Sequence, residues 1–205
     1  MTLQPKTLLV ATKNKGKARE FAELLGAGWT VQTLLDRPDL EEGVEDGATF
    51  EANAEKKARA VGRQVGPDVY VLADDSGLEV DALGGAPGVC SARYAGEPKS
   101  DARNNAKLVE ALKGIAPEKR GAQFRCSLCL AKGDAVVATA DGVCRGTLVL
   151  EPRAIGDFGF GYDPHFVPDE SDRTKTFAEM PSEAKHALSH RGQAMRKMAE
   201  RLVRP

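Results

Sequence analysis

The sequence is poor in cysteine, in excess charge of either sign and in long apolar runs, and each shortage excludes something. Four cysteines in 205 residues are too few, without a secretory leader, for a disulfide framework. Acidic and basic residues nearly cancel, leaving a formal charge of -1. That balance excludes a protein that holds nucleic acid or a membrane surface by bulk basicity, so any phosphate binding has to be local. The apolar run from Leu8 to Ala11 is too short for a signal segment, and no later stretch reaches membrane-spanning length. The expectation is a cytoplasmic protein. Repeats, low-complexity tracts and Ser/Gly linkers are also missing, which leaves one domain of 205 residues, in one or two lobes, with no boundary legible.

What is present alternates. Thr7 to Ala11 reads as a buried strand, and Lys17 to Leu25 as a helix carrying Phe21, Leu24 and Leu25 at helical spacing. A second helix is expected from Thr49, an N-cap residue, to about Gln64, with Phe50, Ala54, Ala58 and Val61 on one stripe. Val69 to Ala73 reads as a buried strand that stops at a turn, Asp74-Asp75-Ser76-Gly77. Ser100 caps a helix whose inward stripe is read as Ala102, Ala106, Val109 and Leu112. Ala122 to Ala131 and Ala135 to Ala140 form a hairpin across Gly133-Asp134, followed by an extended segment from Gly142 to Leu150. A C-terminal helix is expected from about Gln193, with Met195, Met198, Ala199 and Leu202 on one face. Helices and strands that alternate first, with paired strands later, predict an α/β fold with a mixed sheet. Cys126 and Cys129 form a lone C-x-x-C, but residues three apart on a strand face opposite sides and cannot share a metal.

Five clusters carry candidate chemistry. Thr12, Lys13, Asn14, Lys15, Gly16 and Lys17 lie between a strand and a helix N-terminus, where free backbone N-H groups and lysines favour an anion; a solvated lysine turn is the competing reading. The absence of Ser or Thr after Lys17 excludes a Walker A loop. Asp74 and Asp75, read as the carboxyl end of a strand, suit Mg²⁺ beside phosphates, with at most one of the two facing the ligand. Glu45 and Asp46 precede the second helix and Lys57 lies inside it, an acid and a cation able to serve a metal and a phosphate. Gly156 to Asp163 interleaves glycines with aromatics, so that Phe160 or Tyr162 stacks on a base or plugs the core. Finally Ser189-His190-Arg191, with Lys185, offers donors for a keto oxygen, although such a pair is usually a surface feature. His165 and His186 are assigned no chemistry.

Taken in order, T-x-N-x-G-K, E-D-G-A-T-F-x-x-N-A, the block from Ala73 to Tyr94, G-F-G-Y-D-P and S-H-R-G-Q-A resemble the inosine/xanthosine triphosphate pyrophosphatase family, over nearly the whole chain. The resemblance implies an elongated mixed β-sheet flanked by helices, two lobes around a nucleotide cleft, and a homodimer. It further implies hydrolysis of non-canonical purine triphosphates (ITP, dITP, XTP) to monophosphate and pyrophosphate with Mg²⁺. Residue by residue, it implies Thr12 to Lys17 for the triphosphate, assisted by Lys57, and Glu45 and Asp75 for the metal, with Asp75 also the proton acceptor. Ser76, Phe160, Gly161, Tyr162, Asp163, Lys185, His190 and Arg191 would contact the nucleotide. Val44 stands where the family often has a carboxylate, which keeps Asp46 open as an alternative to Glu45. Competing readings are a pyrophosphatase for pyrimidine or other modified triphosphates and a purine-sensing module without hydrolysis.

Overall fold

The computed structural model describes residues 6–153 and 160–202, the side chains of Lys6 and Ala27 excepted. Among the described residues, six strands form one mixed sheet in the order β2-β1-β3-β4-β5-β6. β1 (Lys6–Val10) lies parallel to both β2 (Trp29–Thr33) and β3 (Tyr70–Val80), with Leu8 opposite Val31 and Leu9 opposite Val71. β4 (Gly121–Lys132) and β5 (Ala135–Leu148) are joined by the two residues Gly133-Asp134, and β6 (Phe166–Pro168) runs antiparallel to β5. Five helices accompany the described strands: α1 (Lys15–Leu25), α2 (Phe50–Val65), α3 (Asp101–Ala111), α4 (Ser182–Leu188) and α5 (His190–Leu202). The expected α/β class with a mixed sheet is what the chain adopts. Among the described residues, no helix is long and apolar enough to cross a membrane.

The chain forms two compact units. The first comprises Met1–Asp75, Ser127–Asp141 and Ala194–Pro205, the second Ser76–Cys126 and Gly142–Gln193. In the first unit, Leu9, Ala11, Val71 and Ala73 of the strands pack with Ala54, Ala58 and Val61 of α2. That is the expected α2 stripe, and Thr49 caps the helix by accepting the Ala52 N-H at 3.1 Å. In the second unit, Leu78, Val80, Leu108 and Phe124 pack with Tyr162, Phe166 and Phe177. The Phe124 and Phe166 rings stand 4.7 Å apart at 58°, a tilted arrangement that aromatic quadrupoles favour.

Several local expectations are corrected. β3 does not stop at Ala73; it runs straight through Asp74-Asp75-Ser76-Gly77 to Val80. Leu78 and Val80 carry its buried face onward, and the residues taken for turn punctuation pair their polar groups from within the strand. α1 begins at Lys15 rather than Lys17, because Asn14 caps it: the Asn14 side chain accepts the Lys17 N-H at 3.0 Å. On α3, Ala102 and Ala106 are exposed, and the buried positions are Asn104 and Leu108, followed by Leu112. A polar residue takes the inner face there because the Asn104 amide satisfies two backbone groups, donating to Ala92 O at 3.0 Å and accepting from Ala95 N at 2.8 Å. The extended segment after Gly142 is simply the continuation of β5.

Cys126 and Cys129 are buried free thiols. The stretch from Cys126 to Ala131 is buried at every position rather than alternately, as befits a strand flanked in the sheet by β3 and β5.

Candidate functional site

Within the first unit, α2 and β3 bring acids and lysines together. Asn53 and Lys57, four residues apart on α2, are both buried, which is unusual company for an apolar stripe and has to be satisfied by partners. The Lys57 Nζ lies 2.7 Å from Glu45 Oε1 and 3.9 Å from Asp75 Oδ1. Asn53 donates to Asp75 Oδ2 at 2.9 Å and accepts the Gly47 N-H at 2.7 Å, tying strand, helix and loop through one amide. Asp74 pairs with Lys17 at 2.9 Å.

Glycine lets the loop lie against α2. A Cβ on Gly43 would come within 2.8 Å of Lys57 Cα, and one on Gly47 within 2.6 Å of Asn53 Oδ1. That close approach delivers Glu45 to Lys57, whereas Asp46 pairs with Lys56 on the exposed side at 2.6 Å.

Electrostatics follow from burial. Burial drives the Asp75 carboxyl above its ordinary range, against the pull of Lys57, Lys17 and the Asn53 amide. Burial also works against charged Lys57, but the Asp74, Glu45 and Asp75 carboxylates outweigh it and hold the ammonium above its ordinary value. Asp74 and Asp75 take different partners, Lys17 for the first and Asn53 with Lys57 for the second.

Thr12 is buried, its hydroxyl accepting the Asn14 N-H at 3.1 Å. Lys13 and Lys15 are exposed, and Gly16 and Lys17 are half-buried. With α1 starting at Lys15, two lysines occupy its first turn, which holds no acid. That placement opposes the helix dipole and concentrates positive potential where an anion is favoured.

The second unit holds a different group. Lys185 donates to Asp163 Oδ2 at 2.7 Å, and the same oxygen accepts the Phe160 N-H at 2.9 Å. The Lys185 Nζ lies 5.1 Å from the Phe160 ring centre, and the Arg191 guanidinium carbon 5.6 Å from it. Arg191 donates to Ser76 Oγ at 2.8 Å, and His190 stacks on Phe124 at 4.8 Å and 13°.

His190 and Arg191 open α5, three residues before its anticipated start, and both are buried rather than on the surface where such pairs usually lie. Tyr162 is also in the core, its hydroxyl donating to Ser91 O at 2.8 Å. Its ring is a plug rather than an exposed stacking platform, and burial pushes its hydroxyl pKa upward. Phe160 and Gly161 are half-buried. The first part of the aromatic-glycine stretch, residues 156–159, lies outside the described residues.

Asn53 is the residue that sequence reasoning passed over. Its signal was present as a polar residue four positions before Lys57 on an otherwise apolar helix face.

The Ham1 family model matches residues 8–201 of this chain. The chain belongs to the Ham1 family. Relatives agree over nearly full length: the dITP/XTP pyrophosphatase of Desulforamulus reducens is 49% identical over 198 residues, covering 96% of each chain. That of Bacillus subtilis is 46% identical over 198 residues, covering 96% of this chain and 97% of its own. A solved Ham1 protein from Coxiella burnetii has a TM-score of 0.82 at 36% identity, covering 98% of this chain and 100% of its own. The dITP/XTP pyrophosphatase structure from Mycobacterium abscessus gives 0.68 at 40% identity, with 94% and 98% covered. The Ham1 fold thus accounts for the mixed sheet and the flanking helices together.

Among the described residues, no three His, Cys, Asp or Glu side chains stand together as a metal-holding group. Glu45 and Asp75 nevertheless converge on one ammonium, which shows that both carboxylates are drawn to a single cationic position. Two hard carboxylate oxygens beside substrate phosphates are the donor set that Mg²⁺ prefers, so the residues of this Ham1-family chain fit that ion.

Proposed function

We propose that the chain is a nucleoside-triphosphate pyrophosphatase that cleaves deaminated purine triphosphates, dITP, ITP and XTP, into monophosphate and pyrophosphate. The observation that carries this reading is the group of buried Asp74, Asp75 and Lys57 with half-buried Glu45 and Lys17, in which acids and lysines on different elements converge. The dITP/XTP pyrophosphatase relatives, matched over almost their whole length, support it.

Glu45 and Asp75 are the proposed Mg²⁺ ligands, the ion supplying charge neutralisation to the phosphate oxygens when bound. Lys57 and Lys17 are the proposed phosphate clamps, joined by the N-H groups and lysines of Thr12 to Lys17. Asp75, held by Asn53, accepts the proton of a water attacking the α-phosphorus. Burial raises its basicity above that of an ordinary carboxylate, which suits that task. Bond making and breaking need little covalent help here, so most of the rate gain comes from positioning and fixed charge.

On the base side, Lys185, His190 and Arg191 are proposed to donate to keto oxygens, with Phe160 as the stacking face and Ser76, Asp163 and the backbone at Gly161 and Tyr162 completing the contacts. A 6-amino group in place of the keto oxygen leaves buried donors unpaired, which rejects adenine. A homodimer in the cytoplasm is the proposed setting, on the family resemblance.

The test is a panel of inosine, xanthosine, guanosine, adenosine and pyrimidine triphosphates, assayed for pyrophosphate release with and without Mg²⁺. Release from the inosine and xanthosine substrates only with Mg²⁺ is the expected result. A preference for adenosine triphosphate overturns the base reading, and a preference for pyrimidines replaces it.

A further inference from the structure

Helix α3 takes no part in the chemistry above, yet it grips the turn that carries Phe160. Gly161 sits at φ 63°, and its peptide groups are claimed from one helix face: Asp101 Oδ2 accepts the Gly161 N-H at 2.8 Å, and Asn105 Nδ2 donates to Gly161 O at 2.9 Å. Asp101 and Asn105 are four residues apart, hence one above the other on the helix. The Asn105 Oδ1 is buried, and no described residue donates to it. An acceptor left in that state costs free energy that an apolar residue would avoid, so the bond from the other end of the amide is what this position is built around.

We propose that Asp101 and Asn105 are positioning residues for purine binding: by clasping both polar groups of Gly161 they hold the Phe160 ring in the attitude that Lys185 and Arg191 require. The geometry supports this at three points. The neighbouring Phe160 N-H is bound to Asp163, Tyr162 is anchored through its hydroxyl to Ser91, and the two cations stand over the ring at 5.1 and 5.6 Å. Among the described residues of this turn Gly161 is the one left-handed joint, and a glycine joint has the least intrinsic stiffness. Its orientation is therefore set from outside, by α3. The inference rests on the assignment of Phe160 as the face against which the base stacks.

The test uses the full chain with Asn105→Asp, Asp101→Ala and Asp101→Asn, reading inosine monophosphate affinity by calorimetry alongside kcat and KM for dITP. Asn105→Asp removes the donor and sets a carboxylate against a carbonyl oxygen, while Asp101→Asn keeps an acceptor for the Gly161 N-H. Loss of ring stacking predicts about tenfold weaker monophosphate binding and a matching rise in KM for Asn105→Asp and Asp101→Ala, with the loss falling on KM rather than kcat. Asp101→Asn restores most of the affinity. Affinity unchanged in Asn105→Asp and Asp101→Ala overturns the proposal, as does a loss confined to kcat, or an Asp101→Asn variant as impaired as Asp101→Ala. Should the wild type bind the monophosphate but release no pyrophosphate from dITP, the assigned reaction fails while the binding series still decides the role of α3. A wild type that binds no purine monophosphate and releases no pyrophosphate from dITP overturns both.

Discussion

The charged groups of the two units solve opposite problems. In the first unit, Glu45, Asp74 and Asp75 outnumber the two lysines they face, Lys17 and Lys57. In the second, one buried carboxylate, Asp163, serves Lys185 beside the neighbouring bases His190 and Arg191, with aromatic rings on the flanks. Acids with lysines suit the phosphate and metal side of the proposed reaction, and donors braced by rings suit its base side. On the proposed function, one cluster reacts and the other reads.

Breaking the reacting cluster should produce the largest effect. Asp75→Asn keeps the Asn53 contact but removes proton acceptance, and turnover should fall about a thousandfold or more with an unchanged circular dichroism spectrum. Wild-type turnover in that variant would erase the distinction between the clusters. Lys57→Met leaves Glu45 and Asp75 without the cation that both approach, and urea unfolding should show a loss of about 3 kcal/mol, as expected for stripping one partner from a buried ion pair. Removing Arg191 from the reading cluster, as Arg191→Met, should instead raise KM for dITP by about tenfold to a hundredfold and narrow the margin over adenosine triphosphate, with kcat less affected. If kcat collapsed and KM stayed constant, Arg191 would belong with the reacting group. A gentler probe is Gly43→Ala, whose methyl would press on the α2 backbone at Lys57 and cost about 1 to 3 kcal/mol by overpacking, read by thermal melting.

The smallest effect concerns neither cluster. His165 is buried with its Nδ1 donating to Val149 O at 2.8 Å, and burial, the larger influence, lowers its pKa below the ordinary 6.5. The unfolded chain takes up a proton as pH falls through 6.5 while the folded chain does not, so stability is lost on acidification and regained above that value. The slope from this group is at most about 1.4 kcal/mol per pH unit. Melting temperatures at pH 7.5 and 5.5 should differ more for the wild type than for His165→Gln.

Where the sequence was legible, each signal was local. The Thr49 cap with its Phe50, Ala54, Ala58 and Val61 stripe fixes α2, and the two residues between β4 and β5 announce their connection. The misreadings share one cause: polar residues whose partners are distant in sequence look like turns or surface. Asp74 and Asp75 read as a strand end because Lys17 and Asn53, which satisfy them, come from other elements. Asn104 lost its place on the inner face of α3 to Ala102 and Ala106 because its backbone partners lie in the segment before the helix. Arg191, among the largest fully buried side chains, could not be placed inside without Ser76, 115 positions away. For the candidate site, the motifs named the residues and the structure supplied the pairings, including the choice of Glu45 over Asp46 as the neighbour of Lys57.

The burial of the thiols makes the chain its own gauge of integrity. Cys90 alone is exposed, while desolvation raises the pKa of Cys129 to about 11 and that of Cys144 to about 12. An alkylating reagent at neutral pH therefore meets one ready sulfur in the native chain and four in the denatured one. Mass spectra of briefly labelled samples report directly what fraction of any preparation, or any variant, has come undone.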